Sequence, residues 1–190
     1  MSDLLMIRHG QSVYNLENLF TGWLNVPLSE QGIKEAREAA EKLKDYKIDI
    51  ADTSKLKRAI DTLNFILEAN KNKNIPVVEN IALNERNYGD LQGLNKAEVA
   101  KKYGDEQVHI WRRSYDVAPP GGESLKDTLE RAMPYFKKTI VPDLQKGLNV
   151  LIVAHGNSLR AIMKELDNIS DEDIADLNLD TGKIYLYRFD

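Results

Sequence analysis

Two uninterrupted apolar runs, "LLMI" from Leu4 and "NVLIVA" with its apolar part from Val150, constrain this chain more than anything else in it. Each is too short for a buried helix and offers no polar residue to water, so each reads as a strand covered on both faces. Such strands belong to parallel sheets flanked by helices. The intervening sequence supplies both. "YKIDIAD" reads as a second strand, "IPVVE" as a third lying near an edge because of Pro76, and Lys183–Arg188 as a last one. Ser29 is a candidate N-cap for a helix carrying Ile33, Ala36, Ala40 and Leu43. Ser54 is a candidate cap for one carrying Leu56, Ala59, Ile60, Leu63, Ile66 and Leu67. "NSLRAIMKEL" reads as a helix straight after the strongest strand. The alternation predicts an α/β fold, a mostly parallel sheet with helices on both faces in three layers.

The region 81–123 breaks that rhythm. It reads as a capping insertion on one domain spanning residues 1–190, with short helices over Lys96–Tyr103 and Asp105–Arg113 and a break at "SYDVAPPGGES". Beyond it, Ser124 and Asp127 sit at capping-box spacing. Pro134 should kink the helix they begin, and Pro142 should fall near its end. The net charge of −4 argues against nucleic acid as a partner, and the absence of cysteine rules out disulfides, thiolate zinc sites and cysteine nucleophiles. The sequence shows no leader and no membrane span, so the expected location is the cytoplasm.

The chain has three histidines, and two of them end the two diagnostic runs: "RHG" follows the first and "AHG" the last. Ligands of open α/β sheets bind beyond the carboxyl ends of the strands. If the two strands are neighbours, His9 and His155 share one crevice. Gly10 and Gly156 would let the backbone turn and approach a ligand, and nearby helix N-termini suit an anion. Arg8, Arg58, Arg112 and Arg113, with Lys96, form a cationic set whose forked members match phosphate. Neutral imidazole attacks phosphorus near pH 7, arginine steadies the equatorial oxygens, and a carboxylic acid is needed for the leaving alkoxide. Glu85, set among these cations in "LNERNYG", is that acid.

The blocks "RHGQSVYNLENLFTGW", "LKRA", "LNERNYGDLQGLNK", "WRRSYD" and "AHGNSLRAI" together resemble the histidine phosphatase superfamily and, more narrowly, the cofactor-dependent phosphoglycerate mutases. The resemblance covers nearly the whole chain. It implies a phosphohistidine at His9, Glu85 as general acid and base, and His155 beside the phosphoryl group. Arg8 and Arg58 would surround the transferred phosphate with Asn15. Thr21, Gly22, Tyr88, Lys96, Arg112, Arg113 and Asn157 would hold the substrate's phosphate and carboxylate. Gly10, Gln11, Ser12 and Gly156, next to the two histidines, are counted with the binding residues. The implied reaction interconverts 3-phosphoglycerate and 2-phosphoglycerate, primed by 2,3-bisphosphoglycerate, with no metal and no partner beyond the small substrate. Two departures stand out. Gln11 replaces a glutamate common in the family, and the chain lacks both a loop between "APP" and "GGES" and a tail past the last strand. That shortening bears on the balance between mutase and phosphatase activity, and leaves a homodimer as an allowed rather than a required assembly.

Other features take structural readings. His109 lies on a short polar helix. Arg86 is read as a structural salt bridge, while Trp23, Tyr14 and Trp111 are read as wall or core. "DTGK" lacks the preceding glycine of a phosphate loop. Three function classes remain: the mutase, a phosphatase of the same superfamily, and a phospho-ligand sensor without turnover. A metallohydrolase ranks below them for want of ligand spacing.

Overall fold

The computed structural model describes residues 1–189. In chain order, β1 (Ser2–Arg8) leads to a single helical turn α1 (Val13–Leu16), then α2 (Glu30–Leu43), β2 (Ile50–Thr53), α3 (Lys57–Ala69) and β3 (Val77–Glu79). Two 3-10 turns, Ile81–Leu83 and Gly89–Leu91, precede α4 (Lys96–Tyr103) and α5 (Asp105–Arg113). Next, α6 (Leu125–Tyr135) runs through a π-helical turn, Phe136–Ile140, into α7 (Val141–Gln145). β4 (Val150–Ala154), α8 (Gly156–Leu166), a 3-10 turn at Asp173–Asp176 and β5 (Ile184–Phe189) follow.

The five strands form one sheet in the order β3-β2-β4-β1-β5. Its pairs are parallel except β1 with β5. The expected mostly parallel α/β sheet is therefore present, with β3 on an edge. Residue alternation explains why both diagnostic runs lack a polar face. Leu4 and Met6 of β1 join Val150, Ile152 and Ala154 of β4 in a core with α6, α7 and α8, while Leu5, Ile7, Leu151 and Val153 join Ala39, Ala40 and Leu43 of α2 and Leu63 and Ile66 of α3 on the opposite face. Each fully buried Leu or Ile contributes roughly 2 kcal/mol. A single polar substitution in either run would thus expose one of two cores.

Three local expectations change. The second strand begins only at Ile50, because the preceding residues are tied elsewhere: Tyr46 gives its hydroxyl to Asp3, and the Ile48 carbonyl accepts from Asn72. Ser54 does not cap α3 by its side chain; Leu56 holds the N-cap position. Its hydroxyl accepts from the Leu56 amide at 3.2 Å and meets His155 at 2.7 Å. Finally, Pro134 lies inside α6 without ending it. The irregularity falls instead at Phe136–Ile140, where the ladder widens just before Pro142, which has no amide hydrogen to continue an α-helix.

Residues 81–123 carry their own small cluster, in which Leu91, Val99, Val108 and Trp111 enclose Phe20. α4 and α5 are joined at Gly104 and meet through Tyr103 and Trp111, with Asn95 capping α4 directly before Lys96.

Candidate active site

Register brings the two histidines together. Arg8 pairs with Ala154 at the ends of β1 and β4, so His9 and His155 follow as the next residues on adjacent parallel strands. The His9 amide donates to the Ala154 carbonyl at 3.0 Å, and the two rings meet edge to face with centroids 4.9 Å apart. His9 is 2% exposed and His155 is fully buried.

Hydrogen bonds define the His9 tautomer. Nδ1 lies 2.6 Å from the Gly10 carbonyl, which can only accept, so Nδ1 carries the proton. Nε2 is left with its lone pair and accepts from Arg58 Nε at 3.3 Å. Burial, and then the Arg58 and Arg8 guanidiniums, hold His9 well below the ordinary imidazole value. Burial, with Arg58, His9 and Arg8, does the same to His155. Both rings are neutral at pH 7, as a nitrogen nucleophile must be.

Arg58 is itself immobilised. Its other nitrogens donate to the carbonyls of Leu24 (3.0 Å) and Gly22 (2.8 Å), and burial lowers it to about 10, leaving it charged at neutral pH. It sits on α3 one turn before Thr62, whose hydroxyl accepts from the Gly10 amide at 3.1 Å. The buried face of α3 is therefore apolar above and polar below, a break that an apolar stripe alone does not reveal.

Glu85 stands between the two halves of the site. Its Oε1 accepts from the amides of Arg86 (2.7 Å) and Asn157 (3.1 Å), while among the described residues Oε2 takes no protein hydrogen bond. Beneath the loop, Arg131 of α6 pairs with Glu123 at 2.8 Å and donates to the carbonyls of Ala82, Asn84 and Glu85. Arg131 was not singled out in the sequence, since nothing local links it to Glu85.

The resulting pocket is lined by Arg8, His9, Asn15, Thr21, Gly22, Arg58, Glu85, Tyr88, Lys96, Arg112, Arg113, Gly156 and Asn157, all expected from the sequence. Four further lining residues were not: Phe20, Arg160, Asn178 and Leu179. Arg160 had a signal, because it follows Asn157 at i,i+3 on α8, and it donates to the Asn157 Oδ1 at 2.9 Å. Asn178 and Leu179 had none, since a loop carries them past the strand ends. Cations outnumber acids in the lining six to one, Arg8, Arg58, Lys96, Arg112, Arg113 and Arg160 against Glu85.

The cations differ in readiness. Arg112 is exposed and its side chain makes no hydrogen bond or ion pair among the described residues. Arg113 donates to the carbonyls of Ala175 (2.8 Å) and Leu177 (3.2 Å) and to Asn178. Lys96 is lowered to about 8 by burial and by Arg112 and Arg8.

Gly10, Gln11 and Ser12 lie outside the lining, and His155 sits behind it. A Cβ on Gly10 would fall 2.2 Å from the Gly32 carbonyl, so this glycine answers a contact with α2 rather than a ligand. Gln11 bonds Ser29 at 2.7 Å, and Ser12 caps α1 in a box with Asn15. The expected Arg86 salt bridge is absent among the described residues. Arg86 is fully buried and donates instead to the Arg112 carbonyl (2.6 Å) and the Tyr88 hydroxyl (3.0 Å), because no carboxylate reaches that interior position. His109 is exposed, and Trp111 packs in the small cluster around Phe20.

The family model of the histidine phosphatase superfamily (branch 1) matches residues 4–190. A 2,3-bisphosphoglycerate-dependent phosphoglycerate mutase of Cytophaga hutchinsonii is 58% identical, covering 100% of this chain and 88% of its own. A phosphoglycerate mutase of Schizosaccharomyces pombe is 54% identical, covering 98% of this chain and 90% of its own. Among solved structures, a mycobacterial glucosyl-3-phosphoglycerate phosphatase complexed with VO3 superposes with a TM-score of 0.87 at 28% identity, covering 98% of this chain and 90% of that one. The chain thus belongs to the histidine phosphatase superfamily, and within it to the 2,3-bisphosphoglycerate-dependent phosphoglycerate mutases.

Proposed function

We infer that this protein is a phosphoglycerate mutase that moves a phosphoryl group between the 3- and 2-oxygens of a glycerate by way of His9. The observation that carries the chemistry is the bonding of His9: a proton fixed on Nδ1 and a neutral, lone-pair-bearing Nε2 at the floor of a cationic pocket.

Nε2 attacks the phosphorus of a bound 2,3-bisphosphoglycerate as the phosphorus–oxygen ester bond breaks. The ester oxygen leaves with the bonding pair and takes a proton from Glu85. The phosphohistidine then passes its phosphoryl group to the free hydroxyl of a bound phosphoglycerate, whose proton goes to Glu85 as the new ester forms. Attack of Nε2 on the other phosphate of the bisphosphoglycerate so made releases the isomer and restores the phosphohistidine. Arg8 and Arg58 face the charge spread over the equatorial oxygens, and Arg112, Arg113 and Lys96 hold the anionic ends of the glycerate. The lining, crowded with cations, fits a ligand bearing two phosphates and a carboxylate. The Asn157 amide supports this role. Arg160 can only donate, so it turns the Asn157 Oδ1 inward and leaves the NH₂ for an anionic oxygen.

On this reading residues 81–123 cap the site, since they bring Glu85, Tyr88, Lys96, Arg112 and Arg113 to it. A reaction of this class suits a cytoplasmic protein, and no step calls on a metal. Among the described residues, no helix is long and apolar enough to cross a membrane.

The test supplies 3-phosphoglycerate and a chelator, with and without 2,3-bisphosphoglycerate, and follows 2-phosphoglycerate and free phosphate. Bisphosphate-stimulated isomer with little free phosphate is expected, together with an acid-labile phosphoenzyme that His9→Ala abolishes. Free phosphate as the sole product would reassign the protein to the superfamily's phosphatases.

A further inference from the structure

Ser54 has no part in the chemistry described so far, yet it is fully buried and its Oγ lies 2.7 Å from His155 Nε2. Which group donates in that contact decides what His155 can do. The Ser54 oxygen already accepts the Leu56 amide at 3.2 Å. Among the described residues its hydroxyl hydrogen has one acceptor within reach, the His155 ring nitrogen. A buried hydroxyl hydrogen left without an acceptor is costly, so the hydroxyl donates and Nε2 holds a lone pair.

A neutral imidazole keeps one proton, which must then sit on Nδ1. That nitrogen is buried and has no protein partner. It belongs to a ring in edge-to-face contact with the nucleophile. With Nε2 engaged, Nδ1–H is the only polar group His155 has left for a phosphoryl oxygen on His9.

We propose that Ser54 is a positioning residue that fixes His155 in the Nδ1–H tautomer, so that His155 serves the transferred phosphoryl group as a neutral hydrogen-bond donor. The role given to His155 rests on the phosphotransfer reading above. The tautomer does not, because it is a property of the ligand-free protein and is measured there.

The protein is labelled with ¹⁵N-histidine, and long-range ¹H–¹⁵N correlations are recorded near neutral pH. With three histidines, His155→Asn assigns the signals. The expected spectrum shows Nε2 of His155 unprotonated and Nδ1 protonated. Ser54→Ala should let the Nε2–H tautomer appear and lower kcat about ten- to hundred-fold with KM within about two-fold, the usual scale for losing a partner that orients a functional histidine. Ser54→Thr, which keeps the hydroxyl, should restore tautomer and kcat together. A wild-type His155 protonated at Nε2 overturns the proposal without any variant being folded. So does a folded Ser54→Ala whose tautomer and kcat match the wild type. A wild type with the expected tautomer but only phosphatase activity would instead revise the reaction and leave the role of Ser54 standing.

Discussion

Gly10 and Gly32 touch through their backbones: a Cβ on Gly10 would lie 2.2 Å from the Gly32 carbonyl oxygen, and one on Gly32 would lie 1.9 Å from that of Gln11. The loop that follows His9 is thus seated directly on the first turn of α2. Gly32→Ala forces apart the backbone beside the residues that directly follow His9. We expect a loss of about 3 kcal/mol, the upper end of overpacking costs, with a lower kcat in the folded fraction. Denaturant titration checks it, and a variant within about 0.5 kcal/mol of wild type would contradict the contact.

Arg112 and Arg113 are neighbours with different duties. The Arg112 side chain has no protein partner among the described residues, whereas Arg113 braces the segment Ala175–Asn178. Arg112→Ala should raise KM for phosphoglycerate about ten- to hundred-fold with kcat nearly unchanged and no loss of stability, the scale of one charged hydrogen bond. Arg113→Ala should also lower the thermal midpoint. Steady-state kinetics beside thermal melts separate the two, and equal melting losses would erase the distinction.

Lys96, lowered to about 8, is charged below that pH and neutral above it. Affinity for an anionic ligand should therefore fall as pH rises through about 8, where an ordinary lysine would stay charged. A KM–pH profile reads this directly. Lys96→Gln should weaken binding at every pH and flatten the alkaline limb. A limb that persists in the variant would assign the titration elsewhere.

His9 and His155 are buried and resist protonation, while the unfolded chain takes protons at both below about pH 6.5. The unfolded state then binds more protons, so their contribution, present above that pH, is lost as the medium becomes more acidic. Asp52, raised to about 6 by burial, acts in the opposite sense, so the informative quantity is a difference between variants. Between about pH 7 and about pH 5.5, wild type should lose about 1 kcal/mol more than His155→Asn in urea unfolding. Parallel losses would show that His155 protonates freely in the fold.

The two diagnostic runs were legible because burial on both faces removes every polar residue from a strand, and that pattern survives in one dimension. The boundaries of α4 and α5 were legible too, since Asn95 and Gly104 bracket them with cap and turn chemistry. Ser54 misled for a related reason. Its residue type suits a helix cap, and only the neighbouring strand's His155 shows where its hydroxyl goes. Arg86 misled because charge in a sequence suggests an ion pair, whereas the interior offered it the Arg112 carbonyl and the hydroxyl and ring of Tyr88.

By itself the sequence determined the periodicities, the strand-terminal histidines and an arginine inventory suited to phosphate, because hydrophobic burial and side-chain chemistry are local properties of the chain. Tertiary structure alone decided which nitrogen of His9 bears the lone pair, how Arg131 holds the Glu85 loop, and which arginines are spent on the protein's own carbonyls. Those outcomes depend on the loop conformation that turns the Gly10 carbonyl onto His9 and on remote partners such as the Glu85 carbonyl for Arg131 and the Gly22 and Leu24 carbonyls for Arg58, whose approach is set by sheet register and helix packing.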